Sequence, residues 1–351
     1  MGKRVTIQDI ADRLGLSRNT VSKALNNVAG LSDSTRELIL KTAMEMGYKQ
    51  FAFMGAVQDL KPKDTTAQAV KGPNEIALLT TAFIDRSHFA SLTLDALHFE
   101  LSQRGYVLNT HRVNRDQLAA HELPITLRLE NTAAILCIEM FDRNYCNFIC
   151  SLGVPTLFFD GPARVHGFNL ESDQILMDNT TGVMQLVDDM TQRGVKRIGF
   201  VGDWTHCQSF LERYLAFRNG MSFAGLPIDE RYCIKHNKVA SIGSSIAALD
   251  ELPELFICAN DFVLIDALRS LRKLGFDVPR DIMLAGFDDS SESRSWMPPF
   301  TTIHIHTQAM AYNAMDLLMS RIQEPTLEYR RMYVQTDLIY RQSTERTEGE
   351  Q

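Results

Sequence analysis

The stretch VTIQDIADRLGLSRNTVSKALN, residues 5–26, predicts two short helices joined by a tight turn. Thr6 is a helix N-cap candidate, and apolar residues follow it at helical spacing, namely Ile7, Ile10, Ala11 and Leu14. Gly15 ends this first helix, because glycine adopts a positive φ at little cost. Ser17 can cap a second helix whose inward residues are Val21, Ala24 and Leu25. A small residue at the helix crossing completes the helix-turn-helix pattern.

The second helix presents a polar face to solvent, formed by Arg18, Asn19, Ser22 and Lys23. In DNA-binding proteins the N-terminal end of such a helix meets base edges in the major groove. Arginine and lysine donate to guanine, and asparagine bonds adenine in a bidentate manner. The alternative is an ordinary helical pair with a polar outer face, since short helix pairs are common. The residues that follow favour the DNA-binding interpretation.

A third helix is predicted over about 32–46, ending at Gly47. This whole opening resembles the DNA-binding headpiece of the LacI family of bacterial transcription regulators. The residues that match are residues 5–11, Gly15-Leu16-Ser17, Thr20-Val21-Ser22, Leu25-Asn26, Ser32, Thr35-Arg36 and Gly47-Tyr48. By that resemblance Arg18, Asn19 and Lys23, with Ser22 beside them, read bases. Backbone phosphates, which position the protein without specifying sequence, are contacted by Thr6, Ser17, Thr20, Asn26, Ser32 and Thr35.

Length and charge suggest a small DNA-binding head on a larger body. The chain has 351 residues, which predicts two or three domains. Its net charge is −7, but residues 1–50 carry eight basic and five acidic side chains, which leaves a more acidic remainder. A weakly basic head on an acidic body fits a DNA reader fused to a regulatory part.

Composition also indicates the cellular compartment of the protein and the chemistry of its cysteines and histidines. The chain has no apolar stretch long enough to span a membrane and no apolar signal segment, so we expect a cytoplasmic protein. The six cysteines show no CxxC pattern, which favours free, mostly buried thiols. His304 and His306 share a side of a predicted strand, where solvated or core histidines are favoured over a metal site. We expect no metal and no cofactor.

Residues 50–74 form a predicted hinge or linker where the chain departs from the family. LacI-type proteins have a short hinge helix here, with a leucine that wedges into the minor groove. This chain instead has Gln50-Phe51, Met54-Gly55 and Val57. Val57 or Met54 could still supply an apolar wedge. Gly55 weakens helix formation, so a flexible tether is the equal alternative.

From Glu75 onward, short apolar strands alternate with helices, which predicts two doubly wound parallel-sheet lobes. The strand predictions are 76–80, 106–110, 133–138, 156–160, 197–202, 232–235, 255–259 and 282–287. The helix predictions are 88–104, 116–129, 142–152, 178–193, 208–223, 241–251 and 261–274. Such lobes place a ligand cleft between the carboxyl ends of their strands. The predicted fold class is an all-α headpiece followed by this α/β part.

The second part resembles the periplasmic-binding-protein-like effector domain of the same family. The matching segments include Met177-Asp178-Asn179, residues 197–202, Glu212-Arg213-Tyr214, Cys258-Ala259-Asn260-Asp261, Gly286-Phe287-Asp288-Asp289 and residues 299–303. The resemblance implies three chain crossings between lobes, near 173, 304 and 332. The expected domains are a headpiece at 1–49, an effector and dimerisation domain at 75–341 and a polar tail at 342–351. Lobe 1 is expected at 75–173 and 305–332, and lobe 2 at 174–304 and 333–341.

The resemblance also places effector contacts at strand ends. Arg213 matches the family's sugar-gripping arginine, Asp261 its hydroxyl-binding aspartate, and Asp160 the end of the fourth strand of lobe 1. Capping of the following helix by Asp261 and a turn role for Asp160 are the structural alternatives. Phe83, Asp85 and Phe89, after the first strand, are candidates for stacking on the ligand and bonding to it. Asp288-Asp289 looks like an acid/base pair, but in the family these residues are structural.

The sequence therefore predicts a LacI-type regulator, a repressor of carbohydrate-utilisation genes that binds a palindromic operator as a homodimer. The partners are operator DNA and a sugar or sugar phosphate, with a non-sugar ligand, a protein co-regulator or an activator role as alternatives. The helix at 88–104 is a candidate for part of the dimer interface, because it carries more apolar residues than a solvated helix requires, namely Phe89, Leu92, Leu94, Leu97 and Leu101. An enzyme is not expected, because no catalytic triad, phosphate loop or metal set is present. A transport protein is disfavoured by the fused headpiece.

Overall fold

The computed structural model of the chain describes residues 6–25, 35, 38–39, 41–43, 46, 72–81, 88–235 and 239–345. It contains two compact units, Met1–Gln68 and Ala69–Gln351. We call the first the headpiece and the second the regulatory unit.

The headpiece begins with helices α1, Ile7–Leu14, and α2, Arg18–Leu25. Thr6 caps α1 through a reciprocal pair of hydrogen bonds: the Asp9 N–H donates to Thr6 Oγ1 (3.3 Å), and the Thr6 N–H donates to Asp9 Oδ2 (2.8 Å). Gly15 ends the helix at φ 64°, in the left-handed region. Ser17 accepts a hydrogen bond from the Thr20 N–H (3.1 Å) and so caps α2. The predicted N-terminus of α1, the turn at Gly15 and the N-terminus of α2 are therefore confirmed.

A small apolar core holds these helices together. Its fully or almost fully buried members are Ile10, Ala11, Val21, Ala24, Ile39 and Ala43. The last two belong to a third helical segment, in which residues 35, 38–39 and 41–43 are helical. The small side chains of Ala11 and Ala24 allow the helices to approach closely. The two helices of the turn therefore present their polar faces outward.

The regulatory unit alternates strands and helices. In chain order its strands are β1 Glu75–Thr80, β2 Val107–Arg112, β3 Thr132–Ile138, β4 Thr156–Phe159, β5 Asp173–Met177, β6 Ile198–Val201, β7 Cys233–Ile234, β8 Leu255–Cys258, β9 Met283–Ala285, β10 Thr302–Ile305, β11 Arg331–Val334 and β12 Thr336–Ile339. Its helices are α3 His88–Gln103, α4 Arg115–Ala120, α5 Arg143–Cys150, α6 Thr181–Gln192, α7 Gln208–Phe223, α8 Val239–Ala247, α9 Asp261–Lys273, α10 Ser291–Ser295 and α11 Thr307–Gln323.

These strands form two parallel sheets and a short antiparallel pair. The larger sheet has the order β11-β5-β4-β3-β1-β2, and the smaller has the order β7-β6-β8-β9. Strands β10 and β12 pair antiparallel, with Ile303 opposite Leu338. The neighbouring strands within each large sheet are parallel, and their core strands are apolar and buried on both faces. The predicted fold class, a helical headpiece and two α/β lobes, is confirmed.

Several predicted boundaries were wrong. The crossing expected near 173 lies after Met177, because Asp173–Met177 (β5) pairs with β4 and β11 in the larger sheet. The helix expected at 116–129 ends at Ala120, where His121 takes a left-handed φ of 54°. Pro124 lies within the remainder of that prediction and cannot donate a helical hydrogen bond. Helices α10 and α11 and strands β5, β11 and β12 were not predicted.

Helix α3 contributes to the core of its own chain. Leu97 and Leu101 have no exposed surface and belong to the main apolar cluster, against which Leu94 packs. The expected use of these leucines in a dimer interface is therefore wrong, because their apolar surface is already buried within the chain. Phe99 on the same helix is 51% exposed. The side chains of Phe89 and Leu92 lie outside the described residues.

The six cysteines are free, as predicted, and four of them are buried, namely Cys137, Cys146, Cys207 and Cys258. Within the described part of the chain, no group of three or more His, Cys, Asp and Glu side chains is arranged to hold a metal ion. His304 bonds Asp289 (3.0 Å) and His306 bonds Asp337 (3.1 Å) through ring nitrogens. A search of the described helices for one that could cross a membrane finds none.

Candidate functional site

The first candidate site is the outer face of α2. Arg18, Asn19 and Lys23 are exposed there, and Ser22 is half-buried between them. These side chains lie on the helix that follows the Gly15 turn, at and beyond its N-terminal end. Long donors at this place can reach base edges in a major groove. The structure therefore brings together the four residues for which base reading was predicted.

The predicted phosphate contacts are only partly described. Thr6 and Ser17 are exposed at the N-termini of α1 and α2, where backbone N–H groups also favour anions. Thr20 and Thr35 are half-buried. Asn26 and Ser32, and the candidate wedge residues Met54 and Val57, lie outside the described residues. The Thr6 and Ser17 hydroxyls serve as helix caps, which fixes their positions relative to α2.

The second candidate site surrounds Arg213, on the first half of α7. The Arg213 side chain is only 3% exposed, and its guanidinium lies 3.5 Å from the centre of the Phe287 ring. Its Nε donates to Asn179 Oδ1 (2.9 Å), and its Nη1 donates to the carbonyl of Ala259 (2.7 Å). Nη1 also lies 3.6 Å from Asp288 Oδ1. Nη2 donates to none of the described residues.

Carboxylates gather around this arginine at the ends of three strands. Glu139 follows β3, Asp160 follows β4 and Asp288 follows β9 closely, and all three have positive φ angles of 55°, 62° and 114°. Burial raises the pKa of Asp288, with the charges of Asp261, Glu139 and Asp160 adding to the effect and Arg213 opposing it. Non-glycine residues adopt such backbone angles at a cost, and such strain gathers at functional sites. The predicted cleft is therefore acidic, with Arg213 as its central cation.

Asp160 joins the two lobes. Its Oδ1 accepts a hydrogen bond from the Ser209 N–H (3.1 Å), and the neighbouring Gly161 carbonyl accepts from the Gln208 N–H (2.9 Å). Gln208 and Ser209 open α7, so a segment of the first lobe meets the N-terminus of a helix of the second. The positive end of a helix favours a carboxylate at this position. The turn role considered for Asp160 and a contact across the cleft therefore coexist.

Asp160 changes the stability of the regulatory unit with pH in the direction opposite to that of most carboxylates. Burial raises the pKa of Asp160 to about 6, although the Ser209 hydrogen bond partly opposes this. The folded protein then holds a proton that the unfolded chain releases between about pH 4 and 6, so this group's contribution to stability falls as pH rises through that range. We expect Asp160→Asn, whose amide oxygen can still accept from Ser209, to flatten this part of the stability profile measured by thermal unfolding. Unchanged curvature in the variant would contradict this assignment.

Asp261 has a different role from the one expected. It is fully buried; its Oδ1 accepts from the Thr302 hydroxyl (2.7 Å), and its Oδ2 accepts from the Ser290 N–H (2.8 Å) and hydroxyl (2.9 Å). Asn260, the preceding residue, caps α9. Asp261 therefore ties α9 to the segment after β9 and to β10, and it has no exposed surface for an effector. Sequence position alone could not reveal these two long-range partners, Ser290 and Thr302.

Asp289 is structural, as the resemblance implied. Its carboxylate accepts hydrogen bonds from Arg341 (2.7 Å), His304 (3.0 Å) and Arg294 (3.3 Å). These hydrogen bonds hold the pKa of Asp289 below its usual value despite its burial. They connect the loop after β9 with the crossing strand β10 and the segment after β12. A carboxylate that accepts from two arginines and a histidine is unsuited to accept a proton from a substrate.

Other residues near the Arg213 site were not predicted from the sequence. Asn179 holds the Arg213 Nε, and the Trp204 ring stacks on Tyr214 with centroids 4.3 Å apart. Phe141 of the first lobe meets His206 of the second edge-on, with centroids 4.7 Å apart. Phe141 follows β3, and Trp204 and His206 follow β6. These positions after strand ends were the signal in the sequence that could have identified them. Phe83 and Asp85, and the side chain of Phe89, lie outside the described residues.

Comparison with known proteins places the whole chain among bacterial regulators. It is 24% identical over 348 residues to the HTH-type transcriptional repressor PurR of Actinobacillus pleuropneumoniae serotype 3, covering 96% of this chain and 98% of the relative. It is 26% identical over 353 residues to the HTH-type transcriptional regulator GanR of Bacillus subtilis, with 96% and 99% covered.

Two family descriptions locate that similarity within the chain. Residues 6–50 match "Bacterial regulatory proteins, lacI family", and residues 187–344 match "Periplasmic binding protein-like domain". This chain belongs to the LacI family. As a LacI-family protein it is a DNA-binding transcriptional regulator and not an enzyme. The resemblance of the opening residues to a LacI headpiece is thereby confirmed.

Solved structures share the fold. The transcriptional regulator CelR in complex with cellobiose has a TM-score of 0.67 at 23% identity, covering 97% of this chain and 100% of that one. The lac repressor dimer bound to operator and an anti-inducer has a TM-score of 0.65 at 20% identity, covering 97% and 99%. At these identities the likeness supports the LacI-family fold alone.

Proposed function

We propose that this LacI-family regulator is a repressor that binds a near-palindromic operator as a homodimer. The observation that carries the proposal is the exposed polar row of α2, in which Arg18, Asn19 and Lys23 project from a capped helix-turn-helix. A regulator that binds the chromosome acts in the cytoplasm. Relatives named as PurR repressors support the repressor role, and an activator role remains the alternative.

The homodimer is inferred from the size of the DNA-binding part. One headpiece presents only a few side chains to a half-site, whereas tight specific binding buries a larger protein surface. Two copies related by a two-fold axis double the contacts, and the operator then has matching symmetry. The regulatory unit supplies the surface for pairing in this proposal, although not through Leu97 and Leu101, which lie in its own core.

We propose further that the cleft around Arg213 binds a small sugar. Polyols need many directional hydrogen bonds, and the site offers the Arg213 Nη2 donor beside the carboxylates of Asp160 and Asp288. The CelR structure, which contains cellobiose, supports a sugar in this fold. Sugar binding that favours one arrangement of the lobes would change operator affinity, and a tenfold change needs about 1.4 kcal/mol of coupling.

The charge of the cleft distinguishes a sugar from a sugar phosphate. Among the described residues, the carboxyl groups of Glu139, Asp160 and Asp288 lie near Arg213 and each other, and burial raises the pKa of Asp288 to about 8, so the negative charge at neutral pH comes from the other two carboxyl groups. A phosphate dianion entering this site meets like charges in a poorly hydrated place, which costs free energy. The expected effector is therefore an uncharged sugar, and the sugar phosphate considered earlier becomes the less favoured ligand. A purine or a protein co-regulator remains the alternative class.

The effector site is tested by fluorescence anisotropy of the protein on labelled operator DNA, with a panel of neutral sugars and their phosphates. We expect one neutral sugar to shift the operator affinity of the wild type. In Arg213→Gln the sugar concentration needed for half of that shift should rise roughly tenfold or more, because a charge-assisted hydrogen bond is lost.

The matched control is Arg218→Gln on the same helix, since Arg218 bonds Tyr214 and Glu230 near the surface. This control should respond to the sugar as the wild type does. An equal response in Arg213→Gln would show that the cleft assignment is wrong.

A further inference from the structure

Two arginines of the regulatory unit, Arg164 and Arg331, lie near each other, and neither bonds Arg213. Arg164 belongs to the loop between β4 and β5, and Arg331 opens β11, the strand next to β5. Gln174 lies beside both chain segments, and its Oε1 accepts from the Arg331 Nε (2.7 Å). Its Nε2 lies 2.9 Å from the place that a Cβ would occupy at Gly161, three residues before Arg164. Burial, and after it the charge of Arg164, lowers the pKa of Arg331.

Two buried donor groups at this place lack a hydrogen-bond acceptor among the described residues. The Arg164 side chain makes no hydrogen bond or ion pair with the described residues, and its Nε is buried. Gln174 is 1% exposed, and its buried Nε2 has no acceptor among the described residues either. Exchanging the Gln174 amide oxygen and nitrogen would not remove the problem, because the Arg331 Nε would then lose its acceptor. Buried donors without acceptors are costly, so their persistence calls for an explanation.

Among the described residues, no carboxylate forms an ion pair with either guanidinium group. Arg331 contacts the neutral acceptors Gln174 and Asn169, with the Asn169 Oδ1 at 2.8 Å from Nη2. Glu212 is the acidic group whose charge reaches Arg331. Its Oε1 already accepts from Gln208 and Tyr333, and its Oε2 accepts from Asn179. Glu212 is therefore committed to other partners.

We propose that Arg164, Arg331 and the Gln174 amide form a binding site for a phosphate-group oxyanion. Guanidinium groups bind phosphate oxygens through parallel N–H donors, which gives both charge and geometry. Arg331 is exposed and Arg164 is half-buried, so an oxyanion has access from solvent. None of these three residues bonds Arg213, around which the carboxyl groups are unfavourable to the same ligand.

The position of this site gives it a role in the contact between the lobes. The Arg164 N–H donates to Gln208 Oε1 (2.9 Å), and Gln208 opens α7 in the second lobe. Tyr333, two residues after Arg331, donates its hydroxyl to Glu212 on the same helix (2.8 Å). An oxyanion that holds Arg164 beside Arg331 therefore also stabilises this contact with α7. Phosphate then acts on the same two-lobe equilibrium as the cleft ligand, from a second site.

The test is isothermal titration of the full chain with inorganic phosphate at constant ionic strength. We expect saturable binding to the wild type and a dissociation constant raised at least about tenfold in Arg164→Gln, because one charge-assisted contact is lost. Arg164 makes no side-chain hydrogen bond with described residues, so this variant should fold normally, and thermal unfolding checks that. Arg331→Gln, which removes the second guanidinium, should weaken phosphate binding in the same way.

The control variant is Arg280→Gln, an exposed arginine paired with Asp281, which should bind phosphate as the wild type does. Parallel titrations with glucose 6-phosphate and glucose separate a phosphate ester from free phosphate. Binding of either phosphate that weakens in Arg164→Gln supports the site and identifies the source of the oxyanion. Equal binding by wild type and Arg164→Gln, or no saturable binding of either phosphate, would overturn it. Because no DNA is present, neither result depends on the proposed repressor function.

Discussion

Arg18→Ala is expected to lower operator affinity roughly 30-fold or more. A bidentate arginine–guanine contact discriminates by about 1–3 kcal/mol, and a homodimer loses it in both half-sites. Arg18 is exposed at the first position of α2, so its removal creates no cavity and should leave the headpiece folded. The measurement is anisotropy of labelled operator at fixed salt, since affinity depends steeply on ionic strength.

Arg13→Ala is the matched control for that experiment. Arg13 is also an exposed arginine of the headpiece, but it lies in the last turn of α1 instead of on the outer face of α2. Loss of a general positive charge should weaken binding to all sequences alike and reduce the salt slope by about one. Wild-type operator affinity in Arg18→Ala would show that the base-reading role of this residue is wrong.

Asp173→Ala is expected to destabilise the regulatory unit by about 3–5 kcal/mol, the usual cost of removing one partner of a buried ion pair. Asp173 has no exposed surface and accepts from the Arg321 Nε (2.9 Å), the Arg321 Nη2 (3.1 Å) and the Arg330 N–H (2.7 Å). Arg321 is itself only 3% exposed, so its charge would remain buried without this partner. These bonds join β5 to α11 and to the segment before β11.

Chemical denaturation followed by circular dichroism measures this loss, as a lower midpoint at an unchanged slope. Glu251→Ala is the control, because Glu251 pairs with Arg197 on the surface at 3.0 Å. An exposed pair of this kind contributes about 0–1 kcal/mol. If both variants unfolded at the same denaturant concentration, the buried ion pair would not stabilise the unit as described.

The parts of the fold that local sequence determines were predicted well. Thr6, Gly15 and Ser17 fix the ends of α1 and α2 through contacts within four residues, and the structure places those ends where expected. Helix α7, Gln208–Phe223, was predicted with the observed bounds. These elements have strong local signals, so little depends on the rest of the chain.

The parts that long-range pairing determines were predicted less well. Strand β5 was not predicted, and residues 174–177 were expected in lobe 2, since the strand pairs on one side with β11, which lies more than 150 residues away in the chain. Asp261 has a sequence position suited to a ligand contact, but Ser290 and Thr302 enclose its carboxylate. The Arg164–Gln174–Arg331 group was not foreseen for the same reason. Its members become neighbours only when the sheet assembles.

The most direct test of the account is the affinity of the full-length protein for its operator relative to a scrambled duplex of equal length and composition. Labelled tiles from the DNA upstream of its own and neighbouring genes identify the operator, and both duplexes are then titrated at physiological salt. A sequence-specific regulator should bind the operator at least about a thousandfold more tightly. Equal, salt-sensitive binding to both duplexes would contradict base reading by α2 and with it the proposed repressor function.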